Sequence, residues 1–290
     1  MTNNSRLIEL YCAVCQYYDT ILATEVQRQS NNFCPKFTDK ECITTYIWGI
    51  KQQKFTVRAV YDFIADYYGE WFPDLPSYQA YNKRVCYLAD AFKLLSDVLL
   101  READIDLQEP NYLLDSMPII VAGPKRSGTA KAAAEICNKG YCGSKGIYYY
   151  GIKLHALAQS KARTLPVPAQ MLLTPASEND LPVGKAMLAD VYNINVFADK
   201  MYKDGKWEAW LKATNNVSIN TPVKLKKGQE RLLFMDAVFS SFISGIRQPI
   251  ESFFNWLQEK THIQLASKVR SASGLLSFVF ARIAAVCFAF

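Results

Sequence analysis

The chain has 290 residues, of which 50% are apolar and 13% aromatic, so it can bury a substantial core in one large domain or two. Lysine and arginine number 33 against 27 acidic residues, a mild positive balance that is compatible with a polyanionic partner. This composition excludes a disordered chain, and eight irregularly spaced cysteines without a signal-peptide pattern favour a reducing cytoplasm.

The first hundred residues carry helical signals. Apolar residues from Arg6 to about Gln27 follow a helical spacing. Thr38 and Glu41 form a capping-box pattern, Thr56 predicts the start of another helix, and Ser77 predicts a longer one that runs to about residue 99. We therefore predict a helical N-terminal domain over residues 1–105.

Basic residues cluster at one junction of these helices, where Lys51, Lys54 and Arg58 lie close together in the sequence. Short helices joined by a tight basic turn are compatible with a helix-turn-helix DNA reader. An ordinary helical bundle with a solvated basic edge has the same pattern, and both interpretations stay open.

After residue 105 the pattern changes to short β-prone runs separated by glycine, proline and asparagine. A basic segment from Gly123 to Lys145 separates the first two runs. In chain order we predict strands over Leu113–Val121, Tyr148–Ala158 and Val167–Leu173, a helix from Asp180, a strand run over Asn195–Tyr202, an edge strand over Val223–Lys227, and helices over Arg247–Lys260 and Leu265–Phe290. The very apolar stretch within the last helix, Gly274 to Phe290, is interrupted by Arg282 and is shorter than the roughly 20 residues of a bilayer span, so it predicts a core helix.

Three carboxylates stand out in this order. Asp115 lies inside the first apolar run, where an ionised side chain is costly unless a partner or a metal compensates it. By itself Asp115 is either a turn residue, as Ser116 and Pro118 beside it suggest, or a functional acid. Asp199 ends the fourth run and Glu251 lies on a later helix.

Three strands, a helix, a strand and further helices are the plan of a ribonuclease-H-like α/β domain, here residues 106–290. We expect a mixed sheet flanked by helices and preceded by an all-α domain. The three acids occupy the positions at which that fold carries its metal ligands, with Asp190 and Asp204 as rivals of Asp199. Two Mg²⁺ ions about 4 Å apart can cleave a phosphodiester and activate the freed hydroxyl, and both prefer oxygen ligands.

Five segments in this order resemble the DDE transposases of bacterial insertion sequences. They are Leu114-Asp-Ser-Met-Pro-Ile, Tyr150-Gly-Ile-Lys-Leu-His155, Leu173-Thr-Pro-Ala-Ser-Glu-Asn-Asp180, Ala198-Asp-Lys-Met-Tyr202 and Arg247-x-x-x-Glu251-Ser-Phe-Phe-Asn-Trp-Leu. The resemblance implies DNA strand cleavage and strand transfer at the ends of a mobile element. It further implies that Asp115, Asp199 and Glu251 hold two Mg²⁺ or Mn²⁺ ions.

The resemblance also implies double-stranded DNA, both element ends and target, as the partner of a homo-oligomer in the nucleoid. Arg247 lies one helical turn before Glu251 and is interpreted as a phosphate clamp, or else as an ion-pair partner of the acids. Lys153 and His155 share a strand face that either contacts DNA or is solvated, and Lys260 is a further candidate for DNA contact.

The sequence departs from the family pattern at Ser244 and Gln258, where many relatives have tyrosine and lysine, and at Met201, where glycine is usual. Lys260 is a partial substitute for the missing lysine. The Met201 exchange matters if the turn after Asp199 needs a positive φ. Two alternatives follow: a nuclease that hydrolyses without joining, and a DNA-binding remnant that no longer cleaves.

Overall fold

The computed structural model describes residues 3–26, 34–103, 105–106, 108–143, 145–225 and 228–288. The chain separates into two compact units. The helical unit comprises Met1–Glu102, Thr129–Cys137 and Leu257–Phe290, and the sheet unit comprises Ala103–Gly128 and Asn138–Trp256. These units differ in extent from the predicted domains 1–105 and 106–290, because the C-terminal segment belongs to the helical unit.

The helical unit begins with α1, whose last residue is followed by a π-helical turn over Tyr18–Leu22. Its helices are α1 Asn3–Tyr17, α2 Ala23–Glu25, α3 Asp39–Lys51, α4 Val57–Tyr68, α5 Tyr78–Tyr87, α6 Ala89–Arg101 and α10 Ala272–Cys287. The predicted end of the first helix at Gln27 lies outside the described residues. Where one helix was predicted from Ser77 to residue 99, the structure has α5 and α6, which meet at the buried Leu88.

The three predicted helix caps are present. The Thr38 hydroxyl accepts a hydrogen bond from the Glu41 amide, and the Glu41 carboxylate accepts one from the Thr38 amide at 2.6 Å. Thr56 and Ser77 likewise accept hydrogen bonds from the amides three residues later. Each cap satisfies backbone donors that have no partner inside the helix, which is why a local pattern was sufficient to predict them.

Helix α10 packs against α3, α5 and α6, so the last apolar segment is a core helix as predicted. Its interrupting residue, Arg282, is 1% exposed and donates hydrogen bonds to the carbonyl oxygens of Phe55, Thr261 and Phe278. A buried guanidinium is tolerated here because backbone acceptors surround it. Among the described helices, none combines the length and apolar character needed to cross a membrane.

The described residues of the sheet unit form six strands in the order β2-β3-β1-β5-β6, with β4 also paired to β3. Their bounds are β1 Asn111–Ala122, β2 Asn138–Cys142, β3 Ile147–Gln159, β4 Val167–Pro175, β5 Asn195–Ala198 and β6 Ser218–Asn220. β1 pairs antiparallel with β3 and parallel with β5, and β5 pairs parallel with β6. The predicted mixed α/β sheet is thereby confirmed.

Helices α7 Asp180–Met187 and α8 Gly205–Asn215 lie in the crossovers of this unit, and α9 Phe234–Thr261 follows β6. The predicted edge strand at 223–227 was wrong over its described part, because residues 223–225 form no strand and the edge is β6 instead. Strand β2 and helix α8 were not anticipated. The α8 helix begins after Asp204, whose carboxylate accepts hydrogen bonds from the amides of Lys206 and Trp207.

Candidate active site

Asp115 lies in the middle of β1, the strand between β3 and β5. One of its carboxylate oxygens accepts a hydrogen bond from the Ser116 amide at 2.9 Å, and the other accepts one from Arg247 Nη1 at 2.6 Å. The side chain is 19% exposed. Asp115 is therefore a half-buried acid in a strand and not a turn residue.

Arg247 connects two of the candidate acids. Its Nη2 lies 2.7 Å from Glu251 Oε1, four residues later on α9, while its Nη1 binds Asp115 on β1. The arginine side chain is 17% exposed, and its Nε is buried without a hydrogen-bond partner among the described residues. One guanidinium thus brings the first and third acids of the motif to the same place.

Asp199 reaches this place from the neighbouring parallel strand. Ala198, the last residue of β5, pairs with Leu114 of β1, and the residue after each is an acid, Asp199 just beyond β5 and Asp115 within β1. Burial raises the pKa of Asp115 to about 6; Arg247 and the Ser116 amide oppose this rise, and the charges of Asp199 and Glu251 add to it. Asp199 and Glu251 are therefore both close enough to Asp115 for their charges to act on it.

The rival acids lie in other environments. Asp204 caps α8 and forms an ion pair with Lys185 at 2.7 Å, and Asp190 is exposed on the connection before β5. Neither contributes to the raised pKa of Asp115. Asp199 is thus the acid that the sheet register brings to β1.

The donor set of the three acids consists of oxygen atoms, which Mg²⁺ and Mn²⁺ prefer, and three carboxylates beside one guanidinium leave an excess of acidic groups that suits a divalent cation. Among the described residues, however, no group of three or more aspartate, glutamate, histidine or cysteine side chains is arranged to hold a metal ion as it stands. The geometry gives a reason: the Arg247 guanidinium bonds an oxygen of Asp115 and an oxygen of Glu251.

Comparison with protein-family models gives a match to the family described as Transposase DDE domain, over residues 107–288. The match covers more than half of the chain. The protein belongs to the DDE transposase family. Its mixed sheet is accordingly a ribonuclease-H-like sheet, and DNA is the substrate of the family. Searches of curated proteins and of solved structures gave no match to the chain.

The opposite face of the sheet in this transposase carries a second polar cluster. Successive residues of a strand point to opposite faces, so Ser116 is directed towards α7 where Asp115 is directed towards α9. Asp180 Oδ1, at the start of α7, accepts hydrogen bonds from Lys153 Nζ at 2.9 Å and from the Ser116 hydroxyl at 3.3 Å. Sequence reasoning used Asp180 only as a helix start and missed this cluster.

The cluster engages both strand residues for which a DNA contact was expected. Lys153 also donates to the Glu178 carbonyl oxygen, and its side chain is 15% exposed. His155 is 0% exposed, and its Nε2 lies 2.8 Å from the Thr174 hydroxyl. The expected solvated face is not observed at His155, and a direct phosphate contact of this residue does not fit its complete burial.

Burial lowers the pKa of His155 to about 4, with the charge of Asp180 opposing and that of Lys153 adding to this effect. The folded state therefore binds a proton more weakly than the unfolded state, and stability falls as pH drops from the unfolded pKa near 6.5 towards 4. We expect the transposase to lose about 2 kcal/mol of unfolding free energy through His155 between pH 7 and pH 5. Urea unfolding of the wild type and of His155→Gln at both pH values measures this.

The His155→Gln variant keeps a side chain that can bond Thr174 but has no titrating ring. Between pH 7 and pH 5 its stability should change by about 2 kcal/mol less in the unfavourable direction than that of the wild type, because groups that titrate in both proteins, Asp115 among them, cancel in the difference. An equal loss in the two proteins would show that His155 is protonated as easily in the folded state as in the unfolded one.

Tyr202 is a further residue to which sequence reasoning gave no role. It is 1% exposed, and its hydroxyl has no hydrogen-bond partner among the described residues. Burial and the charges of Asp180, Asp115 and Asp199 raise its pKa well above the ordinary value, so it lies near the acids. Its ring packs against Gly184 of α7, where a Cβ would lie 2.7 Å from a ring carbon.

The three residues that depart from the family pattern, Met201, Ser244 and Gln258, fit their local structure. Met201 lies in a 3-10 turn over Lys200–Tyr202 and has no positive φ, so this turn does not need the glycine that is usual there. The Ser244 hydroxyl bonds the Ser240 carbonyl oxygen, and Gln258 accepts a hydrogen bond from the Gln264 amide just after α9. Lys260 is exposed beside Glu259 in the last turn of α9, and its contact with DNA stays a prediction.

Proposed function

We propose that this transposase binds the terminal repeats of its own mobile element, cleaves DNA strands at those ends and joins the freed 3′ ends to target DNA. The observation that supports the proposal is the contact of one arginine, Arg247, with acids from two separate elements, β1 and α9. Asp115 and Glu251 bond one guanidinium, and Asp199 follows directly after Ala198, the β5 residue that pairs with Leu114.

Asp115, Asp199 and Glu251 are the residues that would hold divalent ions, Mg²⁺ or Mn²⁺. Two bound ions supply an activated nucleophile and a stabilised leaving oxygen. The carboxylates would orient such ions and offset their charge, while β1 and α9 hold Asp115 and Glu251 in position. Arg247, with five N–H donors in a planar fork, is suited to a phosphate of the cleaved strand.

A cleavage and joining assay tests the proposal. The full chain is incubated with Mg²⁺, a linear DNA that carries the ends flanking its own coding sequence, and a supercoiled plasmid. We expect nicks at the element ends and covalent joining of those ends to the plasmid. Hydrolysis without joining would favour the nuclease alternative, and binding without cleavage would favour the DNA-binding remnant.

We also propose that the helical unit contacts DNA through the junction between α3 and α4. Lys51 is turned inward, where its Nζ donates to the Ala285 carbonyl oxygen, so Lys54 and Arg58 are the better candidates. Arg58 is 62% exposed beside Asp62, and Lys54 Nζ lies 5.4 Å from the Phe63 ring. Both cations can reach a phosphate without exposing buried apolar surface.

A double variant with glutamine at both Lys54 and Arg58 should bind DNA more weakly at all sequences. The plot of log K against log salt should become less steep, with the magnitude of its negative slope reduced by about 2, since each phosphate contact contributes about one. Titration of the full chain with labelled duplex at several salt concentrations measures the slope. The full chain is required because α10 packs on α3 and α5, so a fragment ending near residue 100 would expose their core.

Lys93→Gln is the matched control for this experiment. Lys93 forms an i,i+4 ion pair with Asp97 on α6, as Arg58 does with Asp62 on α4. Its replacement should leave the salt slope unchanged. An unchanged slope in the double variant would restrict the α3–α4 junction to a packing role.

Two element ends must be brought together for joining, so we propose that the active form is a homo-oligomer on DNA, associated with the nucleoid. Sedimentation of the chain with and without duplex that carries one end tests this. A complex that contains two chains and two ends is the expected result. A complex with one chain and one end that still joins would contradict it.

A further inference from the structure

Arg247 lies at the position where the three acids would need a cation. Its guanidinium places one nitrogen 2.6 Å from Asp115 Oδ2 and another 2.7 Å from Glu251 Oε1. An arginine stays protonated in proteins, so this is a permanent positive charge between two carboxylates. The pair of contacts offsets one unit of the negative charge of these acids, and a bound divalent ion would offset two.

We propose that Arg247 is a built-in counter-ion, which holds Asp115 and Glu251 together before these carboxylates take up divalent ions and is then released to bind a DNA phosphate. This inference rests on the proposed function, because it assigns the same acids as metal ligands. It gives Arg247 two successive partners, carboxylates first and phosphate second.

The arginine must leave because it uses the oxygens that the metal needs. Both contacts are short, charge-assisted hydrogen bonds, and each takes an oxygen of a different acid. With the guanidinium in this position, Oδ2 of Asp115 and Oε1 of Glu251 are each engaged by an N–H donor. A second positive charge at the same oxygens would also be repelled by the guanidinium.

The Arg247 side chain is held by two ion pairs, but not all of its N–H donors have hydrogen-bond partners. Its Nε is buried and has no hydrogen-bond partner among the described residues. An unsatisfied buried donor is costly, which makes this conformation less stable than one in which all donors are bonded. A DNA phosphate offers oxygens to several guanidinium nitrogens at once, so release towards a phosphate improves the bonding of Arg247.

Two linked consequences follow. Removal of the guanidinium should tighten metal binding, because the metal no longer displaces a bonded cation. In the wild type, metal and DNA phosphate should favour each other's binding. The phosphate stabilises the released arginine, and the metal binds the carboxylate oxygens that the released arginine no longer occupies. A residue that only positioned the acids for the metal would have the opposite effect on metal affinity when removed.

Binding of Mn²⁺ to the full chain, measured at pH 8 without DNA by the electron paramagnetic resonance signal of the free ion, tests the inference. Arg247→Met keeps the length of the side chain and removes its charge. We expect it to bind Mn²⁺ about tenfold more tightly than the wild type. Arg247→Lys should fall between the two, since a single ammonium cannot bond both acids in the same way.

Lys93→Met is the matched control, because it also removes one positive charge and an i,i+4 ion pair, on α6. It should bind Mn²⁺ as the wild type does. Equal or weaker Mn²⁺ binding by Arg247→Met, in a protein whose circular dichroism matches that of the wild type, would overturn the inference alone. Absence of Mn²⁺ binding in every protein would contradict the proposed metal site, and the inference with it.

Thermal unfolding gives a second readout, which remains informative if Arg247→Met folds poorly. Without metal this variant should have the lower Tm, since its two acids have lost their common partner. Added Mn²⁺ should raise its Tm more than that of the wild type, by mass action on a tighter site. A smaller rise than in the wild type would count against the counter-ion role.

Discussion

Asp115→Asn, Asp199→Asn and Glu251→Gln should each reduce metal-dependent cleavage at element ends by about a thousandfold or more, while DNA binding stays nearly intact. Each exchange keeps the shape of the side chain and removes the charge that binds a hard cation. DNA binding should persist because it depends on basic residues elsewhere. Gel assays of cleavage and of retardation with the same labelled end measure both properties.

Asp204→Asn is the matched control for these variants. Asp204 follows Asp199 closely in the sequence but caps α8 and pairs with Lys185. Asparagine is also a good helix cap, so the α8 start should survive, and cleavage should be close to that of the wild type. Substantial cleavage by any of the three acid variants would remove that residue from the proposed site.

Features set by short-range interactions were predicted well from the sequence. The caps at Thr38, Thr56 and Ser77 depend on residues three positions apart, and their hydroxyls bond the amides that the pattern predicts. The order of strands around Asp115 and Asp199 was also recognisable, because apolar runs and their ends determine it. Their place in a mixed sheet then followed from the ribonuclease-H-like plan.

Features that depend on distant partners were not predictable in this way. Asp180 has the sequence signature of a helix start, and its bonds to Ser116 and Lys153 arise only when α7 packs on the sheet. The basic and polar appearance of Lys153 and His155 suggested a solvated or DNA-facing strand. Their burial depends on α7, which packs on that face, and on β4, the neighbouring strand whose Thr174 contacts His155.

Arg247 has one contact that the sequence predicts and one that it does not. The spacing of Arg247 and Glu251 predicts neighbours on one helix face, and the structure has that ion pair. The second contact, to Asp115, joins residues 132 positions apart and needs the whole sheet and α9 to be assembled. Sequence reasoning therefore left phosphate clamp and ion pair as alternatives, whereas the geometry supports a proposal in which Arg247 serves as both in succession.

Gly151→Ala is expected to destabilise the sheet unit by roughly 3 kcal/mol or more, the range typical of severe overpacking. Gly151 lies on β3 opposite Ile120, where the register between β1 and β3 shifts. A Cβ at this position would lie 2.1 Å from the Ile119 carbonyl oxygen and 3.1 Å from the Val121 amide nitrogen. Both are backbone atoms, so the strand itself has to move, and it is the strand that carries Asp115.

Urea unfolding of the full chain, followed by circular dichroism, measures the change in unfolding free energy. Gly123→Ala is the control, because Gly123 has φ −73° and a Cβ there would meet nothing within 4 Å. That exchange should alter stability by no more than about 0.5 kcal/mol. If Gly151→Ala reduced the unfolding free energy as little as Gly123→Ala, the close approach of β1 to β3 would be excluded. The glycine at position 151 would then not be required to make room for β1, the strand that carries Asp115.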